Sequence, residues 1–226
     1  MSRVFGFLIL ALTISTSVFA DEPVVNAEPD LSSPRAAAFE FSIAKDLGDA
    51  ARIQAVLADK PTYPLAQVIK IQALAVGQLR ALTYEAIEKF GKETKKFFNE
   101  SGKEEFFKRI ENADEKITDD TATLTLKISN EPLKGEKEET MNFRKVNGNK
   151  WKVSLADNVE YKKIKDEKIV QLLLQHAALN NAAKKTREEL KADKYKTYDE
   201  MITGFNVNLR ENQNIRVNQP AEPEKG

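Results

Sequence analysis

Apolar residues follow two rhythms along this chain. Up to about residue 110, and again from about residue 162, they recur every three or four positions. Between residues 121 and 155 they alternate with polar ones. The first rhythm belongs to helices with one buried stripe, the second to half-buried strands. The order of helices, strands and helices predicts a helix-rich α+β fold with at least three strands and a C-terminal helical extension.

The helix ends are marked by caps. Ser33-Pro34 offers an N-cap and a proline at the first helical position, and Phe39, Ile43 and Leu47 follow at spacing four. Gly48 can stop that helix and Asp49 can cap a second one, with Ile53, Val56 and Leu57 as its stripe and Asp59-Lys60-Pro61 as its end. Pro64 opens a long helix to Phe90, with Val68, Ile71, Ala75, Leu79, Leu82 and Ala86 on one side and Gly91 after its end. Ile69, Val76 and Ile87 widen the stripe, so this helix should be buried on more than one side. Ser101 to Glu104 fits a capping box, starting a helix with Phe106, Phe107 and Ile110 inward. Beyond the strands, Ile169 to Leu179 is a strongly apolar helical run. Tyr195, Tyr198, Ile202, Phe205 and Leu209 form a last stripe, mildly interrupted by Gly204.

The alternating part contains TATLTLKI, Thr121 to Ile128, with Ala122, Leu124, Leu126 and Ile128 on one face. Thr140 to Lys145 and Lys150 to Leu155 read as a hairpin around Asn147-Gly148. A two-residue loop would pair Phe143 with Lys152 and mix apolar and charged residues on one face. A three-residue loop, Val146-Asn147-Gly148, pairs Lys145 with Asn149 and Phe143 with Trp151, and places Gly148 in the left-handed region. Met141, Phe143, Trp151 and Val153 then share the inner face. Arg144 would stand opposite Lys150, and Lys127, Arg144, Lys150 and Lys152 would share an outer face that is ordinarily solvated.

The N-terminus changes the picture of location. Arg3, the apolar run Val4 to Ile14 and Val18-Phe19-Ala20 have the form of a signal peptide, too short for the roughly 20 residues of a membrane span. Cleavage after Ala20 is expected, giving a periplasmic or secreted protein. Residues 21–32 then read as a flexible acidic lead and 211–226 as a disordered tail. The chain has no Cys, which removes disulfides and thiolate chemistry. Its 35 basic residues balance 35 acidic ones; without Arg3, 34 against 35 leaves about −1. No global field draws it to nucleic acid, and no later run could span a membrane.

The junction Gly48-Asp49, the strand Asp120 to Leu124, the run Met141 to Val146 and the closing Gly148 to Val153, with Asn149 inserted after the glycine, resemble one family. It is the small exported branch of the nuclear transport factor 2-like superfamily, in particular the lumazine-binding-like domains. The resemblance covers residues 33–157. It implies a curved antiparallel sheet wrapped around N-terminal helices as a cone with a pocket. Two features depart from it: more helix between Pro64 and Ala113 than such domains need, with no convincing strand there, and the helical segment 158–210.

Candidate chemistry is sparse. Enzymes of that superfamily place Asp, His or Tyr in the pocket, but the inward strand positions here are Leu, Ile, Met, Phe, Trp and Val. No general base is visible on the strands. His176 is the only histidine and sits in a Leu/Ala-rich helix, where a packed role is more ordinary than a catalytic one. Asp119-Asp120 lacks the spacing of a calcium loop. No catalytic residue, metal site or cofactor is assigned. A pocket, if present, would be lined by Trp151, Phe143 and Leu126 from the sheet and Tyr84 from a helix, although Trp151 packed on Phe143 is equally a core arrangement. The expected function is a non-catalytic domain, a monomer or weak dimer, binding a small ligand or a protein partner. The alternatives are an isomerase or hydratase with a pocket acid on a helix, and a helical interaction protein.

Overall fold

A computed structural model describes residues 28–91, 103–128 and 137–214. The expected signal peptide, most of the acidic lead, Ser101-Gly102 of the capping box, the connection at 129–136 and residues 215–226 lie outside them. The fold is α+β, with seven helices and an open, curved four-stranded antiparallel sheet among the described residues.

The first helix, α1 (Pro34–Leu47), starts where Ser33 Oγ accepts the Ala36 N–H at 3.1 Å and ends at Gly48, with φ 71°. Asp49 caps α2 (Ala50–Val56) by accepting the Arg52 N–H at 2.8 Å. Glu40 and Arg52 form a half-buried ion pair that ties the two helices together. The long α3 (Pro64–Phe90) and the short α4 (Lys103–Glu111) follow. Strands β1 (Asp114–Thr118), β2 (Thr121–Ile128), β3 (Lys137–Val146) and β4 (Lys150–Val153) lie in sequential order. The chain closes with α5 (Val159–Lys162), α6 (Asp166–Lys191) and α7 (Tyr198–Asn214).

Alternation sets the sheet's two faces. Ala122, Leu124, Leu126, Met141, Phe143, Trp151 and Val153 are buried, and helices α1 and α4 cover them. The hairpin loop has three residues, but they are Asn147-Gly148-Asn149, not Val146-Asn147-Gly148. Val146 pairs with Lys150 and Phe143 with Val153, so the expected Phe143–Trp151 pairing is displaced by two residues. Asn147 and Gly148 both take left-handed φ values, 45° and 84°, which centres the turn on that pair and lets the strand continue through Val146. A shift of two keeps every side chain on its face, so Phe143 and Trp151 are both buried as expected. Lys145, not Phe143, stands opposite Trp151, with its ammonium 5.7 Å from the ring centroid. Arg144 stands opposite Lys152 and is ion-paired with Asp157.

Strand β1 was not legible in the pattern. Its five residues are all exposed, and Ile117 is its one large apolar side chain. It forms an outer edge of the sheet. The other edge, β4, is covered: Trp151 N–H donates to Leu31 O at 2.8 Å, and Ala58 N–H to Val153 O at 2.8 Å. The end of the expected flexible lead is thus anchored, and Leu31 is buried.

Two apolar cores result. The first joins the sheet to α1, α2, α4, the N-terminal half of α3 and the start of α6. The second joins Val76, Leu79, Leu82 and Ala86 of α3 to Ala182, Ala183 and Leu190 of α6, to Met201 and Phe205 of α7, and to Tyr195 of the connection. Helices α3 and α6 run side by side in the same direction: Ile69 and Leu172 share the first core, while Arg187 donates to Glu85 at 2.6 and 3.1 Å. The helical extension is therefore built along a helix of the first unit.

Gly48 tests this packing. A Cβ there would lie 2.2 Å from the Gly77 nitrogen, and φ is positive. Gly48→Ala should cost about 2 kcal/mol or more, whereas Gly148→Ala, which meets open space, should carry only the left-handed penalty of about 1 kcal/mol. Urea denaturation of the two variants checks the order.

Candidate functional site

Leu126, Phe143 and Trp151 come together on the inner sheet face, each at most 6% exposed. They belong to one buried cluster with Leu31, Val56, Leu57, Val153 and Leu155, so the inner face of the sheet is filled. Tyr84 is not among them. It is 45% exposed on α3, where Arg80 donates to its hydroxyl at 3.3 Å and lies over its ring.

An inward-facing acid is present on the strands after all. Glu139 pairs with Leu126 and so points to the same face as Met141 and Phe143. The signal was its two-residue step from Met141. It stands at the end of the apolar face and is half-buried. Around it gather Lys45 from α1, Tyr161 from α5 and, beyond Lys45, His176 from α6. Burial, and then the Glu139 charge, push the Tyr161 phenol well above its usual range. Burial pulls the Lys45 ammonium down, against the opposing charges of Asp46 and Glu139. Burial, and then Lys45, hold His176 below its ordinary value, and its Nε2 has no hydrogen-bond partner among the described residues. Four elements thus bring an acid, an amine, a phenol and an imidazole within electrostatic reach, neighbour by neighbour, with Tyr161 packed on the first core.

A cleft of about 550 Å³ opens at the other end of the molecule, where α6 turns into α7. Its lining includes Glu189, Lys194, Tyr195, Asp199, Gly204, Val207 and Asn208. The Tyr195 ring lies on α7 where Gly204 leaves room; a Cβ at Gly204 would sit 2.2 Å from the Tyr195 hydroxyl oxygen. The glycine read as a mild interruption is therefore a packing requirement. Tyr195 donates to Glu189 Oε2, Asn208 Nδ2 donates to the same oxygen at 2.9 Å, and Lys194 Nζ donates to Oε1 at 2.6 Å. Asn208 also reaches Thr186 Oγ1 at 3.0 Å. Burial opposes the Glu189 charge, but these donors outweigh it and hold its pKa down at about 2. Burial, and then the bond to Glu189, push Tyr195 well up. The base of the cleft is therefore a fixed charge held by three donors. Val207, 47% exposed, and the carboxylates of Asp199 and Glu200 remain at its wall.

The basic sheet face is largely neutralised. Lys127 lies 3.4 Å from Asp114, Lys150 lies 3.8 Å from Glu28, and Arg144 is bound by both oxygens of Asp157, whose carboxylate also accepts from Ser154 at 2.7 Å. Among the described residues, no group of three or more His, Asp or Glu is arranged to hold a metal ion, and no helix is long and apolar enough to cross a membrane. Comparisons with protein-family models, curated proteins and solved structures find no match.

Two pH windows come from this geometry. His176 is depressed in the fold, so the unfolded chain takes up this proton at a higher pH than the folded one. The penalty is absent above about pH 6.5 and grows as pH falls below it, so wild-type urea midpoints should drop more than those of His176→Gln between about pH 7.5 and 5. Glu189 is also depressed, so its contribution is complete above 4.5 and disappears as pH falls towards about 2. Glu189→Gln should flatten acid unfolding within that lower window.

Proposed function

We propose that this is an exported, non-catalytic binding protein that takes a small ligand or a short peptide segment in the cleft between α6 and α7. One observation carries the reading. Leu126, Phe143 and Trp151 are buried on the inner face of the sheet, while the cleft beside Tyr195 stays open at a volume typical of ligand sites. The cleft also presents an exposed Val207 and the carboxylates of Asp199 and Glu200, all carried on α7. Export rests on the N-terminal pattern of Arg3, Val4 to Ile14 and Val18-Phe19-Ala20. Kinship with the nuclear transport factor 2-like superfamily is part of the proposal. Its support is the left-handed Gly48, the Asp49 cap and the antiparallel sheet ending in the Asn147-Gly148 hairpin.

A second reading, an isomerase or hydratase, draws on Glu139. The acid would stand on a strand, beside Tyr161 and Lys45, at the mouth of the filled sheet.

The two readings separate in one experiment. The chain starting at Asp21 is screened by ligand-observed NMR against small amines, carboxylic acids, sugars and short peptides. Hits should vanish in Val207→Trp, which fills the cleft, and persist in Glu139→Gln. Hits lost only in Glu139→Gln, or none at all, would overturn the cleft as the binding site.

A further inference from the structure

The hairpin tip carries chemistry that the binding reading does not use. Asn147-Gly148 is the one Asn-Gly pair in the chain. Both residues are exposed at the end of β3, in left-handed conformations. No hydrogen bond engages the Gly148 N–H among the described residues, and a Cβ built on Gly148 would meet nothing within 4 Å. The nitrogen that follows the asparagine side chain is thus neither tied up nor screened.

We propose that Asn147 is a site of spontaneous deamidation, its side chain closing onto the Gly148 nitrogen and converting the hairpin tip into an aspartyl or isoaspartyl turn. The Gly148 nitrogen loses its proton and bonds to Asn147 Cγ. The Cγ–Nδ2 bond breaks, and the amide group leaves as ammonia. A five-membered succinimide remains. Water then adds to one of its two carbonyls. Opening at one gives the aspartyl chain; opening at the other gives the isoaspartyl chain, with an extra methylene in the backbone. No oxidant, metal or other protein is required.

The products differ in consequence. An aspartate tolerates the left-handed region and keeps the loop at three residues. The isoaspartyl product lengthens a three-residue loop, and loop length sets register. It therefore pulls on Lys150 and Trp151, whose backbone N–H is held by Leu31 O. Trp151 is the only tryptophan, so its emission reports the strain.

The test holds the purified, folded protein at mildly alkaline pH for days. Peptide mapping then locates the amide-to-acid mass change and separates the two isomers. Asn147 should react before every other asparagine, and Trp151 emission should shift in step with the isoaspartyl fraction. Gly148→Ala should slow the reaction. A merely loosened turn would speed it, so a strained variant cannot mimic the expected result. Asn147→Asp, incubated alongside, reaches the same succinimide only slowly from its carboxylate at alkaline pH, so its emission should shift much more slowly than that of the wild type. An intact Asn147 when other asparagines have reacted, or an unchanged rate in Gly148→Ala, would overturn the proposal.

Discussion

The backbones of Gly48 and Gly77 touch, and the rest of the fold is arranged about that contact. Gly48 ends α1 in a left-handed turn and lies directly on the middle of α3, at a separation that leaves no room for a side chain. This fixes where α1 and α2 stand along a helix roughly 40 Å long. The sheet follows, because α1 and α4 cover its inner face. Beyond Gly77 the same helix turns its apolar residues to α6 and α7, so one helix serves two cores. Its wide apolar stripe is the sequence trace of this double burial.

That arrangement moves the open space away from the sheet. The aromatic and aliphatic side chains that could have lined a cone pack against one another and against Leu31 and Leu57. Burying Phe143 and Trp151 in this way stabilises the sheet by several kcal/mol and leaves no room for a ligand there. The cleft at the far end exists for a related reason. Tyr195 must reach the surface of α7, and the glycine that admits it lets the ring form one wall of the cleft.

The local rules were legible because they are local. Ser33, Gly48 and Asp49 mark helix boundaries through bonds within four residues of themselves, Pro64 does so through its fixed φ, and all four stand where the pattern put them. The faces of the sheet were legible from alternation alone. The register was not, because a loop shifted by two residues preserves every face. Strand β1 was missed because it faces solvent throughout and has no alternation to display. Glu139 lies beyond the apolar run, yet its parity with Met141 and Phe143 places it inward. Tyr84 was drawn to a pocket by residue type, and nothing in its neighbourhood said that its side of α3 faces water. The Tyr195–Gly204 contact joins a connection to the next helix, which periodicity cannot report.

Because α3 and α6 run in the same direction, their peptide dipoles add instead of cancelling. The unpaired carbonyls of both helices come out at one pole of the molecule. Lys89 spans them: from the last turn of α3 it donates to Leu190 O of α6 at 3.1 Å and to Asp193 at 2.7 Å. Lys191 lies 3.1 Å from Glu85 at the same pole. At the opposite pole, Asp166 and Glu167 sit in the first turn of α6. The lysines at one pole and the carboxylates at the other thus offset the summed helix dipoles, and the lysine-rich pole adjoins the cleft.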